Sequence, residues 1–173
     1  TDLELWPNRI AEDGTVAGIE TNNPSGPQLV IWNPDGSKEY PPIPSNKINY
    51  VTGVTSSGLI IGHSNLENTD HATHIFNRNS GTITRVGSEA ESWLGYSFAN
   101  NESGTMAAWV YDSKGSHIEV IIPRSDGQFE RYAAPFSIRN CRPSRINDLD
   151  QVLVHCQSSD TNYIFDPHTD NLT

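Results

Sequence analysis

The sequence predicts an all-β protein, specifically a four-bladed β-propeller. Three observations predict this: the composition is rich in turn formers, a turn-and-strand unit recurs four times, and each unit contains a hairpin signal. The 173 residues include 13 Gly and 11 Pro, and 35% are hydrophobic. This composition suits many short strands joined by turns rather than long helices, and the length is enough for a single domain with its own core.

The first repeated marker is a turn residue followed two positions later by an apolar strand residue. The apolar residues recur at intervals of 44, 46 and 46 residues. Glycine adopts the left-handed backbone that tight turns require, and Asp tolerates it better than most residues. A period of about 45 residues is typical of four-stranded propeller blades. The pairs are Gly14 with Val16, Gly58 with Ile60, Gly104 with Met106, and Asp150 with Val152.

The second marker is a large apolar anchor that ends a later strand, directly before a turn sequence. Turns of Asn, Asp, Pro and Gly join antiparallel neighbours, so each anchor predicts a hairpin. The predicted unit is a turn, an inner strand, a loop, an anchored strand, a tight hairpin and an outer strand. The anchors are Trp32, Phe76, Ile122 and Phe165, and the predicted blades span 8–44, 52–87, 98–135 and 144–173 plus 1–7.

The repeated motif resembles the bacterial extracellular HAF repeats. The run INDLDQV at 146–152 looks like the first half of that repeat, and HATHIF at 71–76 and QLVIW at 28–32 look like the second half. Asp150 departs from the glycine of the pattern, and Ile122 departs from its aromatic residue. The resemblance implies propeller-like blades and export from the cytoplasm, to a secreted or periplasmic location. It implies no particular activity.

The spacing around the chain ends predicts that the ring of blades closes. The segment LELWP at 3–7 has the alternation and terminal proline of an outer strand, so we expect it to complete the fourth blade. The alternative is half of a larger propeller, whose other half was cut away or comes from a second chain. Because the chain begins at Thr1 rather than Met, we expect that an upstream segment has been removed.

The only two cysteines, Cys141 and Cys156, flank one predicted hairpin. In the chain-entropy model, a disulfide between them would stabilise the fold by about 3 kcal/mol, because it closes a loop of this length in the unfolded chain. The alternative is a pair of free core thiols in a reducing compartment.

The charge balance bears on the class of partner. The formal charge is −10 with only 11 Lys and Arg residues, which argues against nucleic acid, because phosphate binding requires a basic face. An acidic surface favours a basic protein partner, a cation, or solubility alone. No apolar run reaches the roughly 18 residues that a membrane helix requires.

One repeat position is a candidate for lining a central channel. Inner strands of a propeller face its axis, so this position could form a funnel for a small ligand. The alternative is that the position packs between blades. Its four occupants are Ile19, His63, Trp109 and His155.

Metal and catalytic signals are weak. His71 and His74 are three residues apart near a strand, which places them on opposite faces and is poor for chelation. The run NLENTD at 65–70 alternates oxygen ligands and could hold calcium, although it lacks the glycine of a dedicated calcium loop. No nucleophile-elbow, phosphate-loop or CxxC motif occurs, so we predict neither a catalytic residue nor a required cofactor.

Loops are the better candidates for function. Segments 20–28, 64–71 and 111–117 should gather on one face of the scaffold, and the acidic stretch 88–95 should lie on the opposite rim. We therefore predict a non-catalytic exported module, monomeric or part of a larger protein, that binds a basic protein partner, as an inhibitor or toxin-neutralising protein would. The alternatives are a carbohydrate-binding propeller and a hydrolase with its site in the channel. The candidate contacts are Asn65, Glu67, Asp70, Asp112, Glu89, Glu91 and Trp93.

Overall fold

The computed structural model is built from sixteen β-strands in four antiparallel sheets of four strands. It describes residues 5–21, 24, 26–44, 47–63, 72–86, 97–112, 115–134, 141–156 and 159–173. We call the sheets blades 1 to 4, because each is a continuous segment of chain whose strands pair in sequence order. Within the described segments, no helix is long and apolar enough to cross a membrane.

The strands have the following bounds. Blade 1 contains β1 (Leu5–Ile10), β2 (Val16–Glu20), β3 (Gln28–Trp32) and β4 (Lys38–Glu39). Blade 2 contains β5 (Tyr50–Val54), β6 (Leu59–His63), β7 (Thr73–Asn77) and β8 (Thr82–Arg85). Blade 3 contains β9 (Ser97–Asn100), β10 (Met106–Asp112), β11 (Gly115–Pro123) and β12 (Phe129–Ala133). Blade 4 contains β13 (Cys141–Ile146), β14 (Val152–Cys156), β15 (Thr161–Asp166) and β16 (Asn171–Leu172).

The turn between the first and second strands repeats in every blade, as predicted. In blade 1 the amide of Ala11 donates to the carbonyl of Thr15, and the amide of Gly14 donates back to the carbonyl of Ala11. The same two bonds recur in the turns that begin at residues 55, 101 and 147. The predicted turn residues all have positive φ: 86° at Gly14, 87° at Gly58, 84° at Gly104 and 62° at Asp150.

The anchors are also confirmed, with one correction. Trp32, Phe76 and Phe165 pair with the apolar residues of the second strands, as the repeat requires. In blade 3 the partner of Met106 is Ile121, so the predicted anchor Ile122 is wrong by one residue. Ile121 is fully buried, whereas Ile122 pairs with Glu130 and is only partly buried.

Each first strand contains a β-bulge at the same place. Register shifts leave one residue unpaired in each, namely Asn8, Thr52, Phe98 and Ser144. A bulge increases local twist and redirects the side chains that follow it. The shared bulge defines equivalent positions in the four blades.

Three hydrophobic clusters join consecutive blades. The first contains Ile19 and Ile31 of blade 1 with Val51 and Ile60 of blade 2. The second packs blade 2 on blade 3, through side chains such as Ile75 against Ile121. The third packs blade 3 on blade 4, through side chains such as Val120 and Val154. Among the described residues, no such cluster joins blade 4 to blade 1.

The predicted closure through the N-terminus is wrong. Residues 5–10 do not complete blade 4, because they form β1 and pair with β2 in their own sheet. The outermost strand of blade 4 is instead the short β16. First strands contact one another between consecutive blades, β1 with β5, β5 with β9, and β9 with β13. The described chain is therefore a propeller-like series of four blades with three blade-to-blade interfaces.

An ion pair at the rim adds to the first interface. The Nε of Arg78 in blade 2 donates to Glu39 Oε2 in blade 1 at 2.8 Å, and Asn33 Nδ2 donates to Glu39 Oε1 at 2.9 Å. These hydrogen bonds hold the pKa of Glu39 below its ordinary value, and the bond from Arg78 has the largest effect.

Candidate functional site

The candidate site is a pocket of about 530 Å³ to which all four blades contribute. Its walls come from the first strands and from the turns that follow them in blades 1, 3 and 4. These elements repeat in every blade, so the repeat itself brings their side chains together. The lining residues are Arg9, Ile10, Glu12, Val54, Ala99, Asn100, Asn101, Glu102, Arg145, Ile146, Asn147 and Asp148.

Glu102 ties three of the turns together. Its Oε1 accepts a hydrogen bond from the amide of Glu12 in blade 1 at 3.0 Å. Its Oε2 accepts from the amide of Ser56 in blade 2 at 2.7 Å. The hydroxyl of Ser56 in turn accepts from the amide of Asp13 at 3.1 Å. A single carboxylate therefore fixes the relative position of the turns of blades 1, 2 and 3.

Asn101 ties the third turn to the fourth. Its side-chain amide donates to the carbonyl of Asn147 at 3.0 Å and to Asp150 Oδ1 at 2.9 Å. Its Oδ1 accepts from the amide of Thr105 at 3.0 Å and from the hydroxyl of Ser103 at 2.7 Å. The residue is only 6% exposed; its bond from Thr105 is buried and the other three bonds are partly buried. The turns that form the floor of the pocket are consequently joined to one another by side-chain hydrogen bonds.

The charged side chains of the pocket differ in whether they are hydrogen-bonded to the rest of the described chain. Arg9 donates from Nε to the carbonyl of Thr52 at 2.7 Å, and so binds blade 1 to blade 2. Glu12, Arg145 and Asp148 are exposed, and their side chains make no hydrogen bond within the part of the chain that is described. One cation and two carboxylates are therefore available at the pocket for a ligand.

The four predicted channel residues do not line this pocket, so that prediction is wrong. They lie on the second strand of each blade, on the side that faces the next blade, whereas the axis is lined by first strands. Ile19 is 3% exposed in the first cluster and His63 is 5% exposed. Trp109 packs on the third cluster and donates from Nε1 to the carbonyl of Cys141 at 2.7 Å. His155 has no following blade, and its Nδ1 lies 3.1 Å from Asn162 Oδ1.

The predicted loop contacts lie outside the described residues. This holds for Asn65, Glu67, Asp70, Glu89, Glu91 and Trp93, and also for His71 and the side chain of Asp112. The calcium run at 65–70 falls there too. His74 is 2% exposed, and its Nδ1 lies 3.0 Å from the carbonyl of Ala72. Across the described segments, no three His, Cys, Asp or Glu side chains are grouped to hold a metal ion.

The predicted disulfide is present. Cys141 and Cys156 are directly opposite each other on β13 and β14, and their sulfurs are bonded. Both half-cystines are buried in the third cluster, so the bond also belongs to the core between blades 3 and 4.

Sequence reasoning missed the pocket because its residues were assigned to turns only. One signal was available: the second residue of the repeated turn is Glu12, Ser56, Glu102 and Asp148, which is acidic in three of four blades. The link from Glu102 to Glu12 spans 90 residues of chain, so it depends on how the blades are arranged.

No family model matches the chain, and no curated protein is significantly similar to it. Solved structures do match. One is the catalytically inactive variant of virginiamycin B lyase from Staphylococcus aureus with quinupristin, at a TM-score of 0.60 and 17% identity. Another is the selenomethionine-substituted lyase from the same organism, at a TM-score of 0.53 and 16% identity. Both matches cover 100% of this chain but only 56% and 55% of the lyase chains. At this identity the likeness shows a shared β-propeller-like fold alone.

Proposed function

We propose that this chain is a non-catalytic binding module, an arc of β-propeller blades that receives a charged loop or chain end of a protein partner in its central pocket. The observation that carries the proposal is the set of unused charges at the pocket, Glu12, Arg145 and Asp148, on turns and strands held together by Glu102 and Asn101. A site on a rigid framework loses little conformational entropy on binding.

The charges favour a basic partner. Glu12 and Asp148 would pair with Lys or Arg side chains, and Arg145 would donate hydrogen bonds to a carboxylate of the same segment. The formal charge of −10 would attract a basic protein over a longer range and speed its docking. Steric blocking of such a partner would make the chain an inhibitor or a toxin-neutralising protein. Glu89, Glu91 and Trp93 remain candidates for a second contact on the rim.

The proposed location is secreted or periplasmic. The bond between Cys141 and Cys156 is compatible with an oxidising compartment, where disulfides persist. The resemblance to exported repeats supports the same location.

The test is a titration of the isotope-labelled chain, by nuclear magnetic resonance, with an oligoarginine and an oligoglutamate peptide. We expect oligoarginine to shift the amide signals of Glu12, Glu102 and Asp148, with weaker effects from oligoglutamate. Asp148→Asn should weaken oligoarginine binding about 5-fold, since an exposed charge pair is worth about 1 kcal/mol or less.

The matched control is Asp126→Asn. Asp126 is also an exposed turn carboxylate, but it lies in the hairpin between β11 and β12, outside the pocket. Both substitutions remove one negative charge, so they change the net charge of the protein equally. A difference between their affinities for oligoarginine therefore reports the effect of a charge at the pocket itself. An equal loss of affinity in the two variants, or signal shifts spread evenly over the surface, would contradict the proposed site.

A catalytic function is the competing candidate, favoured only by the fold shared with a lyase. The titration samples also test for catalysis, because a chemical change in a peptide probe would be visible in the spectrum of that peptide.

A further inference from the structure

One four-residue motif occurs at the same place in blades 1 and 4. It consists of an arginine, an isoleucine, a variable residue and an acidic residue, RIAE at 9–12 and RIND at 145–148. The two motifs are equivalent by register, because each arginine follows the bulge and each isoleucine pairs with the first residue of the second strand. Residues of both motifs line the central pocket. The pocket therefore has two walls of the same chemistry.

The charged groups of each motif lie in separate layers along the strand. Arg9 and Arg145 lie on the first strands. Glu12 and Asp148 lie on the turns that follow, at most about 10 Å further along the backbone. The Nε of Arg9 donates to the carbonyl of Thr52, the bulge residue of blade 2, which lies on the side of the strand away from the turns. The motif of blade 1 thus holds a cation and a carboxylate at opposite ends.

An aliphatic layer lies between the two charged layers. Ile10, Val54 and Ile146 occupy equivalent positions of blades 1, 2 and 4, each directly before the turn, and all three line the pocket. Blade 3 has Asn100 at this position, which gives the layer one polar group. A complementary ligand therefore has an apolar part between its cation and its carboxylate.

The size of the pocket favours a chain end over a loop. Its volume of about 530 Å³ is within the range of sites for small molecules, about 300–1,000 Å³. A loop brings two chain segments into a site, and two extended neighbours need about 4.8 Å between their backbones in addition to the room for their side chains. A chain end brings only one segment. A C-terminal end also supplies a carboxylate, whereas an N-terminal end supplies a second cation.

We propose that the ligand is a C-terminal chain end whose last residue is Lys or Arg. This inference rests on the proposed function, since it names the segment that the pocket receives. The terminal carboxylate accepts hydrogen bonds from Arg145, the stem of the last side chain lies along the aliphatic layer, and its cation pairs with Asp148. Lys and Arg each carry their charge on an aliphatic stem, so one terminal residue offers all three groups in the order that the motif requires. The motif of blade 1 presents the same groups from its own wall.

The experiment is a titration of the isotope-labelled chain, by nuclear magnetic resonance, with three N-acetylated peptides of three glycines and one arginine. The first ends in arginine with a free carboxylate, the second is the same peptide with an amidated end, and the third begins with arginine and ends in a glycine carboxylate. We expect the first peptide to bind about 5-fold more tightly than the second, because an exposed charge pair is worth about 1 kcal/mol or less. The third should also bind more weakly than the first, because its two charges lie on different residues.

The matched variants are Arg145→Gln and Arg142→Gln. Arg142 is also exposed on β13, but it lies outside the pocket, and both substitutions remove one positive charge. We expect Arg145→Gln to bind the free and the amidated peptide equally, whereas Arg142→Gln should keep the difference. In the wild type, the Nε–H signal of Arg145 should shift with the free carboxylate and not with the amidated end.

Three outcomes overturn the inference: equal binding of the first two peptides by the wild type, equal binding of the first and third, or a preference for the free carboxylate that survives Arg145→Gln. The proposed function survives all three if oligoarginine still shifts the pocket signals and Asp148→Asn still weakens its binding. If oligoarginine does not bind at the pocket, the proposed function and this inference both fail.

Discussion

Replacing Asn101 by alanine removes the side chain that joins the third and fourth turns. Four hydrogen bonds are lost: those to the carbonyl of Asn147 and to Asp150, and those from Thr105 and Ser103. A buried hydrogen bond contributes about 1 kcal/mol net, and one to a carboxylate contributes somewhat more. Because Asn101 is 6% exposed, water does not replace them fully. We therefore expect the free energy of unfolding to fall by about 4 kcal/mol.

The control is Asn147→Ala, at the same position of the fourth turn. Asn147 also makes local bonds, since its Oδ1 accepts from the amides of Leu149 and Gln151, but these bonds are exposed. Water can replace them, so the expected loss is about 1 kcal/mol. Equilibrium urea unfolding, followed by tryptophan fluorescence, measures both variants. Similar losses for the two variants would refute the reasoning that the buried link between turns is the stabilising element.

Two further predictions concern the disulfide and the rim ion pair. The double variant Cys141→Ser with Cys156→Ser should lose about 3 kcal/mol of stability, the cost of freeing a loop of this length, measured by the same urea unfolding; an unchanged midpoint would contradict it. The pKa of Glu39 is lowered by Arg78 and Asn33. The stability that its ionised carboxylate contributes is therefore present above the ordinary carboxyl pKa and is lost as the pH falls through the lowered value. Glu39→Gln should therefore lower the melting temperature of the protein near neutral pH and have little effect on it in strong acid. Thermal melts of the variant and the wild type across pH measure this difference. A difference in melting temperature that does not change with pH would show that the pairing does not stabilise the fold.

Local backbone chemistry explains how much of the fold could be predicted. The turn residues Gly14, Gly58, Gly104 and Asp150 require positive φ, and their spacing located the second strands correctly. The first strands were missed, because the bulge in each shifts the side-chain alternation that marks a strand. The outer strands of blades 1 and 4 have only two residues each, which is too short for any periodic signal.

The site was less predictable than the fold, because it is assembled from side chains far apart in the chain. Glu102 and Asn101 read as ordinary turn residues, and their neighbours depend on how the blades curve around the axis. The predicted channel position failed for a related reason. His63 and Trp109 lie on strands taken as innermost, yet another strand stands between each of them and the axis.

The disulfide gives equivalent strand pairs unequal resistance to separation. In blade 4 the bond between Cys141 and Cys156 joins β13 directly to β14, so these strands stay together even when their hydrogen bonds open. In blade 1 the equivalent strands β1 and β2 have no such cross-link, since both cysteines of the sequence lie in blade 4. Local opening should therefore require less free energy in blade 1 than in blade 4. Because Arg9 and Glu12 lie on β1 and on the turn that follows it, such an opening would take apart the proposed pocket while the core between blades 3 and 4 stayed packed.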